Sequence, residues 1–214
     1  MSADVDDTRK PGRHFSMIRQ FHLADAFTLL NGFAGTGAVL AFMRFLLDHD
    51  KRFFWLGCAL LPVALVMDVL DGRIARWRQK ASPLGQELDS LADVVSFGVA
   101  PAAMAFAAGL RGGWDIVILM YFVGCGISRL ARYNVTASSL AAETGKVTHF
   151  EGFPIPTSLL LALILAVSAG FDRWQEALPG GGLDLGPLTL HPFALLYALH
   201  GSAMISKTLR IPKP

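Results

Sequence analysis

Four aspartates, Asp68, Asp71, Asp89 and Asp93, stand in the stretch DVLDGRIARWRQKASPLGQELDSLAD at residues 68–93 of an otherwise apolar chain. The first two are three residues apart and the last two four apart, so each pair shares one face if its segment is helical. Pro83 and Gly85, between the pairs, suit a turn. Two helices so joined form a hairpin with four carboxylates at its mouth. One carboxylate on a lipid-buried helix costs about 2.5–3.5 kcal/mol on insertion scales, so four together call for cations. An all-oxygen cluster suits Mg²⁺, Mn²⁺ or Ca²⁺ better than zinc, and magnesium commonly joins one or two carboxylates to the phosphates of a substrate. Gly72 and Ala75 flank the Asp71 turn, with Gly85 on the facing side. These small residues leave backbone open to a bulky ligand.

The elements that must hold these groups are membrane helices. The chain has 214 residues, 53% of them hydrophobic and only 17% charged, with a mean hydropathy of +0.45. Charge that far below the soluble norm marks an integral membrane protein, and a net charge of +2 points to no nucleic-acid partner. Apolar segments of spanning length fall at about 23–47, 53–71, 89–110, 114–134, 153–171 and 188–206. The fold class expected is therefore an all-α integral membrane protein with six transmembrane helices. A short interfacial helix precedes them, because residues 1–22 mix Arg9, Lys10, Arg13 and Arg19 with Phe15, Met17, Ile18 and Phe21. The first span is too long for a simple signal peptide and reads as a retained anchor. The domain expected runs over 23–206, between an N-terminal tail at 1–22 and a C-terminal tail at 207–214.

Six spans put both ends on one side, and the basic residues say which. Fourteen of the 19 lie in the N-terminal tail, the second and fourth loops and the C-terminus, Arg73, Arg76, Arg78 and Lys80 among them. Arg44, Lys51, Arg52, Arg111 and Arg173 remain for the other face. The positive-inside rule then places both termini and the aspartate mouth in the cytoplasm. On the far side, residues 172–187 with Pro179 and Gly180–Gly182 read as a flexible loop.

Other polar groups are few. Span one carries Thr28, Asn31, Gly32, Gly35 and Gly37: the glycines suit close helix packing, while Asn31 needs a partner, with Thr28 one turn above. Asp25 reads as an interfacial residue. Arg129 and Arg132 share a helix face at the end of span four and suit a carboxylate or phosphate, or serve as two positive-inside anchors. Pro154 and Pro156 fix an extended lead into span five. Cys58 and Cys125 lie in apolar segments as packing residues, with no disulfide framework, and the six histidines form no zinc-binding pair.

Asp68, Asp71, Gly72, Ala75, Arg76, Gly85, Asp89 and Asp93 fill every fixed position of the signature that marks the CDP-alcohol phosphatidyltransferase family, which the chain resembles. At residue frequencies of roughly 5–10 per cent, eight fixed positions match by chance less than about once in 10⁵ sequences. ELDSLADVVSFGVAPA at 87–102, SRLARYN at 128–134 and FEGFPIPTS at 150–158 extend the likeness over spans three to five, toward the phosphatidylserine synthase branch. Tyr133 departs from the phenylalanine more usual there and leaves the site assignment intact; residues 1–20 and 172–190 carry no likeness.

The resemblance implies that the hydroxyl of L-serine attacks the β-phosphorus of CDP-diacylglycerol, releasing CMP. It implies one or two divalent ions, Mg²⁺ or Mn²⁺ with Ca²⁺ able to bind in their place, on Asp68, Asp71 and Asp89 with Asp93 contributing. Asp93 is the general base expected. Gly72, Ala75, Arg76 and Gly85 receive the cytidine and diphosphate together with Asp68 and Asp71, with Asn31 in support. Arg129 and Arg132, and more weakly Asn134, attract the acceptor carboxylate or the lipid phosphate. Membrane lipids are partners, and a homodimer in the inner membrane is expected. Three other readings stay open: a sister transferase taking glycerol 3-phosphate, inositol phosphate or choline, a transporter whose carboxylates carry ions, and a catalytically silent scaffold.

Overall fold

Long runs of Leu, Ala, Val and Phe can satisfy their backbone groups in lipid only as helices, and helices are what they form. The computed structural model describes residues 23–78, 83–143, 149–174, 178, 180–206 and 210–212. The basic N-terminal segment expected to lie at the interface falls outside them. Helices α1 (Leu23–Asp48) and α2 (Lys51–Arg78) form an antiparallel hairpin through a tight turn at His49 and Asp50, where the Asp50 side chain accepts from the Arg52 backbone N–H at 2.9 Å. Helix α3 (Pro83–Asp93) runs into a π-helical turn (Val94–Val99) and on into α4 (Ala100–Ala108). Gly109, at φ 135°, ends α4 in a conformation that suits glycine. Helix α5 (Gly113–Glu143), a 3₁₀ turn (Ile155–Ser158) leading into α6 (Leu159–Gly170), and α7 (Ala194–Ile205) complete the bundle.

Four stretches are long and apolar enough to cross a membrane: Ala24–Asp48, Lys51–Ile74, Leu84–Ala108 and Gly113–Thr136. The last two apolar helices, Ile155–Gly170 and Ala194–Ile205, are shorter than the roughly 20 residues a full span needs. The core lies along the bundle axis, with Phe42, Phe54, Phe97, Phe122, Met104 and Tyr197 fully buried. The outside is apolar too: Phe33 is 68% exposed, Leu47 75%, Met120 69% and Leu199 68%, a belt suited to lipid and costly in water. On α2 that belt thins around Asp68 and Asp71, near the end of the apolar stretch, with exposed Trp77 beyond them.

Two ribbons depart from a purely helical expectation. At the mouth end, β1 (His149–Glu151) pairs antiparallel with β4 (Arg210–Pro212), tying the loop after α5 to the C-terminal segment. At the far end, β2 (Leu183–Leu185) pairs with β3 (Leu188–Leu190). The described residues of the loop expected to be flexible are therefore paired and anchored. Trp174 packs edge-on to Phe54 at 4.7 Å, and Lys51 meets Asp172 at 2.5 Å, holding that exposed carboxyl below its ordinary range. The indole N–H of Trp114 donates to the Leu185 carbonyl at 3.2 Å. Fully buried Asp115 accepts from the backbone N–H groups of Gly112 and His191, both at 2.8 Å, and from His191 Nδ1 at 2.6 Å. Aromatic packing and a buried carboxylate overrode the glycine-rich composition there.

Candidate metal and nucleotide site

Helix α2 loses its apolar character over its last three turns, and α3 is amphipathic from the start, so their aspartates meet where the bundle opens. Asp68, Asp71 and Asp89 each offer an oxygen, and these atoms all lie within 4.8 Å of one another. At that distance two charges repel by about 3.5 kcal/mol for an effective dielectric of ~20, so the cluster holds together best around a cation. Two further observations fit one. Asp89 Oδ1 is buried and has no hydrogen-bond partner among the described residues. A side chain on Gly72 would enter open space, with nothing within 4 Å among the described residues. The donor set is oxygen alone, which suits Mg²⁺, Mn²⁺ or Ca²⁺. Among the described residues, Asp93 stands outside this three-membered group, one turn deeper on α3 and only 7% exposed.

Helix α1 buttresses both carboxylate pairs. Thr28 Oγ1 donates to Asp71 Oδ2 at 2.8 Å, and Asn31 Nδ2 donates to Asp93 Oδ1 at 3.2 Å. The partner of Asn31 is thus an aspartate across the bundle, in place of the neighbouring Thr28. Asp25, expected merely at an interface, is 4% exposed and lies within electrostatic range of Asp71. Asp25, Thr28, Asn31, Gly32 and Gly35 recur at helical spacing on one face. That stripe was the available signal for Asp25 and Thr28, which sequence reasoning left without a role in the site.

The π turn completes the contact. Gly32 lies against Ala92 and Gly35 against Ser96, whose hydroxyl donates to the Asn31 carbonyl at 2.9 Å. The Phe97 carbonyl accepts from the Ser158 hydroxyl at 2.6 Å, joining this segment to the start of α6. Short π segments often sit at functional sites, and this one follows Asp93 directly.

The two arginines have different neighbours. Arg129 is 8% exposed, stacks 5.6 Å from the Tyr133 ring centroid, lies within electrostatic range of Asp93 and has no hydrogen-bond partner for its Nε among the described residues. Arg132 donates to the Ile205 carbonyl at 3.1 Å, at the end of α7. Asn134 exchanges hydrogen bonds with Ser90 at 3.0 and 3.3 Å, fastening α5 to α3. Gly85 lies in the first turn of α3, half-buried. The side chains of Ala75 and Arg76 fall outside the described set.

Comparison with known proteins agrees with this geometry. The sequence model of the CDP-alcohol phosphatidyltransferases matches residues 21–187. A Saccharomyces cerevisiae CDP-diacylglycerol–serine O-phosphatidyltransferase is 44% identical over all of this chain and 78% of its own length. A protein of the same description from Mycobacterium tuberculosis is 36% identical over 72% of this chain and 53% of its own length. An archaetidylserine synthase of Methanothermobacter thermautotrophicus is 35% identical over 64% of this chain and 54% of its own. The eight-residue signature, the family match across most of the bundle and the clustered carboxylates agree: the chain belongs to the CDP-alcohol phosphatidyltransferase family.

Proposed function

We propose that the chain transfers the phosphatidyl group of CDP-diacylglycerol to the hydroxyl of L-serine, giving phosphatidylserine and CMP. The observation that carries the reaction is the meeting of Asp68, Asp71 and Asp89 within 4.8 Å, with Gly72 opening beside them and Asp93 one turn deeper. The acceptor is supported by the relatives, whose names include serine in yeast and mycobacteria and archaetidylserine in the archaeon, while the lipid differs.

In the step itself the serine oxygen forms a bond to the phosphorus that carries diacylglycerol. The bond from that phosphorus to the CMP oxygen breaks, and its electron pair leaves with CMP. The serine proton goes to Asp93: Asn31 engages Oδ1, and Oδ2 takes the proton. Positioned proton transfer of this kind is worth roughly 10²–10⁴-fold. A divalent cation, Mg²⁺ or Mn²⁺, held by Asp68, Asp71 and Asp89 would neutralise the diphosphate and the leaving phosphate. Gly72 and Gly85 make room for the nucleotide, with Ala75, Arg76 and Asn31 beside it. Arg129, buried toward Asp93, is the better placed arginine for the serine carboxylate; Arg132 is engaged at the end of α7.

The same reading gives α6 and α7 as the fifth and sixth crossings of the inner membrane, with the mouth in the cytoplasm, supported by the fourteen basic residues on that side. Homodimers are expected and are checked by the mass of the detergent-solubilised protein. The test of function is CMP release from CDP-diacylglycerol in detergent with Mg²⁺ or Mn²⁺, across serine, glycerol 3-phosphate, inositol phosphate and choline. Serine-dependent release that disappears with a chelator and in Asp93→Asn is the expected result. Release with another acceptor instead would keep the metal site and overturn serine; no release with any would favour an ion-carrying membrane protein.

A further inference from the structure

We infer that Thr28 is a positioning residue for the metal site, its hydroxyl setting the orientation of the Asp71 carboxylate from α1; this rests on the metal reading above. A threonine within a membrane helix ordinarily returns its hydroxyl to the carbonyl four residues back. Thr28 has that option, with the Ala24 carbonyl 3.2 Å away, yet its oxygen lies closer to Asp71 Oδ2, at 2.8 Å. A hydroxyl has one proton to give, and a hydrogen bond to an ionised acceptor is about twice as strong as one to a neutral carbonyl. The donation therefore goes to the carboxylate 43 residues away.

Thr28 is 4% exposed and Asp71 5%, so little water reaches either. Holding Oδ2 fixes the plane of the carboxylate, and with it the direction of Oδ1. Thr28 has little freedom: it is β-branched and stiff at χ1, and α1 is pressed against the α3 hairpin arm where Gly32 meets Ala92. The cluster therefore draws on three helices. Asp71 and Asp68 come from α2, Asp89 from α3, and the orientation of Asp71 from α1. Residues that orient a metal ligand in this way typically contribute 10–100-fold in metal affinity or activity.

The test compares Thr28→Val, which keeps the shape and loses the hydroxyl, with Thr28→Ser, which keeps the hydroxyl. Free Mn²⁺ is measured by electron paramagnetic resonance during titration of the full chain in detergent, without substrate, beside thermal unfolding in chelator. Thr28→Val should weaken Mn²⁺ binding at least tenfold, Thr28→Ser should stay within about threefold of the parent, and unfolding in chelator should be alike for all three. Parent-like Mn²⁺ binding by Thr28→Val would overturn the inference. Equal loss in both variants, tracking lower unfolding temperatures, would overturn it as well and leave Thr28 a packing residue. A parent chain that binds no Mn²⁺ would sink it together with the metal site. Mn²⁺ binding with no serine-dependent CMP release would refute the acceptor and leave the role of Thr28 standing.

Discussion

Replacing Gly35 with alanine should disable the site from two turns away. A Cβ on Gly35 would lie 2.7 Å from the Ser96 Cα and 2.9 Å from its Cβ. Carbon atoms rest about 3.5–4.0 Å apart, so α1 and the π turn must separate by about 1 Å. Two bonds span that contact, Ser96 to the Asn31 carbonyl at 2.9 Å and Asn31 to Asp93 at 3.2 Å. Both would stretch past the ~3.5 Å at which a hydrogen bond ceases to count. Losing a bond to a charged group costs about 1.5–3 kcal/mol, and overpacking adds typically about 1–3 kcal/mol. A reacting group displaced by about 1 Å loses on the order of 10² in rate. The assay is CMP release and thermal unfolding for Gly35→Ala against Gly124→Ala, whose added methyl meets nothing within 4 Å among the described residues. Activity within twofold of the parent and an unshifted unfolding temperature in Gly35→Ala would refute the reasoning.

Gly72→Val should fold as the parent, since nothing among the described residues lies within 4 Å of a Cβ there, but should raise KM for CDP-diacylglycerol by tenfold or more; an unchanged KM would remove Gly72 from the nucleotide site. Asp115→Ala leaves the His191 ring and two backbone N–H groups unpaired, and a buried polar group left unsatisfied costs about 1–3 kcal/mol. Its unfolding temperature should drop while the folded fraction keeps its KM for serine, and a stable variant with altered KM would contradict a purely structural role. Asp172 is held below its ordinary range by Lys51, so its contribution to stability is present above the unfolded value of about 3.9 and fades as the pH falls through the lower folded value. Asp172→Asn should lower the unfolding temperature slightly at pH 7 and leave it unchanged near pH 2; a larger effect in acid would reverse the sign.

The carboxylate cluster was legible because its information is local. Two pairs at helical spacing leave little choice about which faces meet, although Pro83 and Gly85, expected in the turn between them, open α3 instead; the small residues beside the pairs advertise space. Asn31 was visible as a polar group needing a partner, yet its partner sits 62 residues away, a tertiary pairing that spacing along one helix cannot choose. The arginines show the same limit: three residues apart they share a face by geometry, but Arg129 turns inward and Arg132 reaches the end of α7. The π turn was hidden because VVSFGV reads equally well as ordinary helix, and what selects the wider turn is contact with Asn31 and Ser158 from elsewhere. The far-side hairpin was misread from composition, since Asp115 lies 76 residues from the histidine it holds.

The carboxylates of α2 stand near the end of its apolar stretch. One half of the donor can therefore remain among fatty tails while its other half, the serine and the departing CMP stay in water. Catalysis then happens on a plane. What saturates the protein is the fraction of its surroundings that is CDP-diacylglycerol, so adding detergent at constant substrate slows turnover by thinning that plane. Serine obeys ordinary concentration throughout.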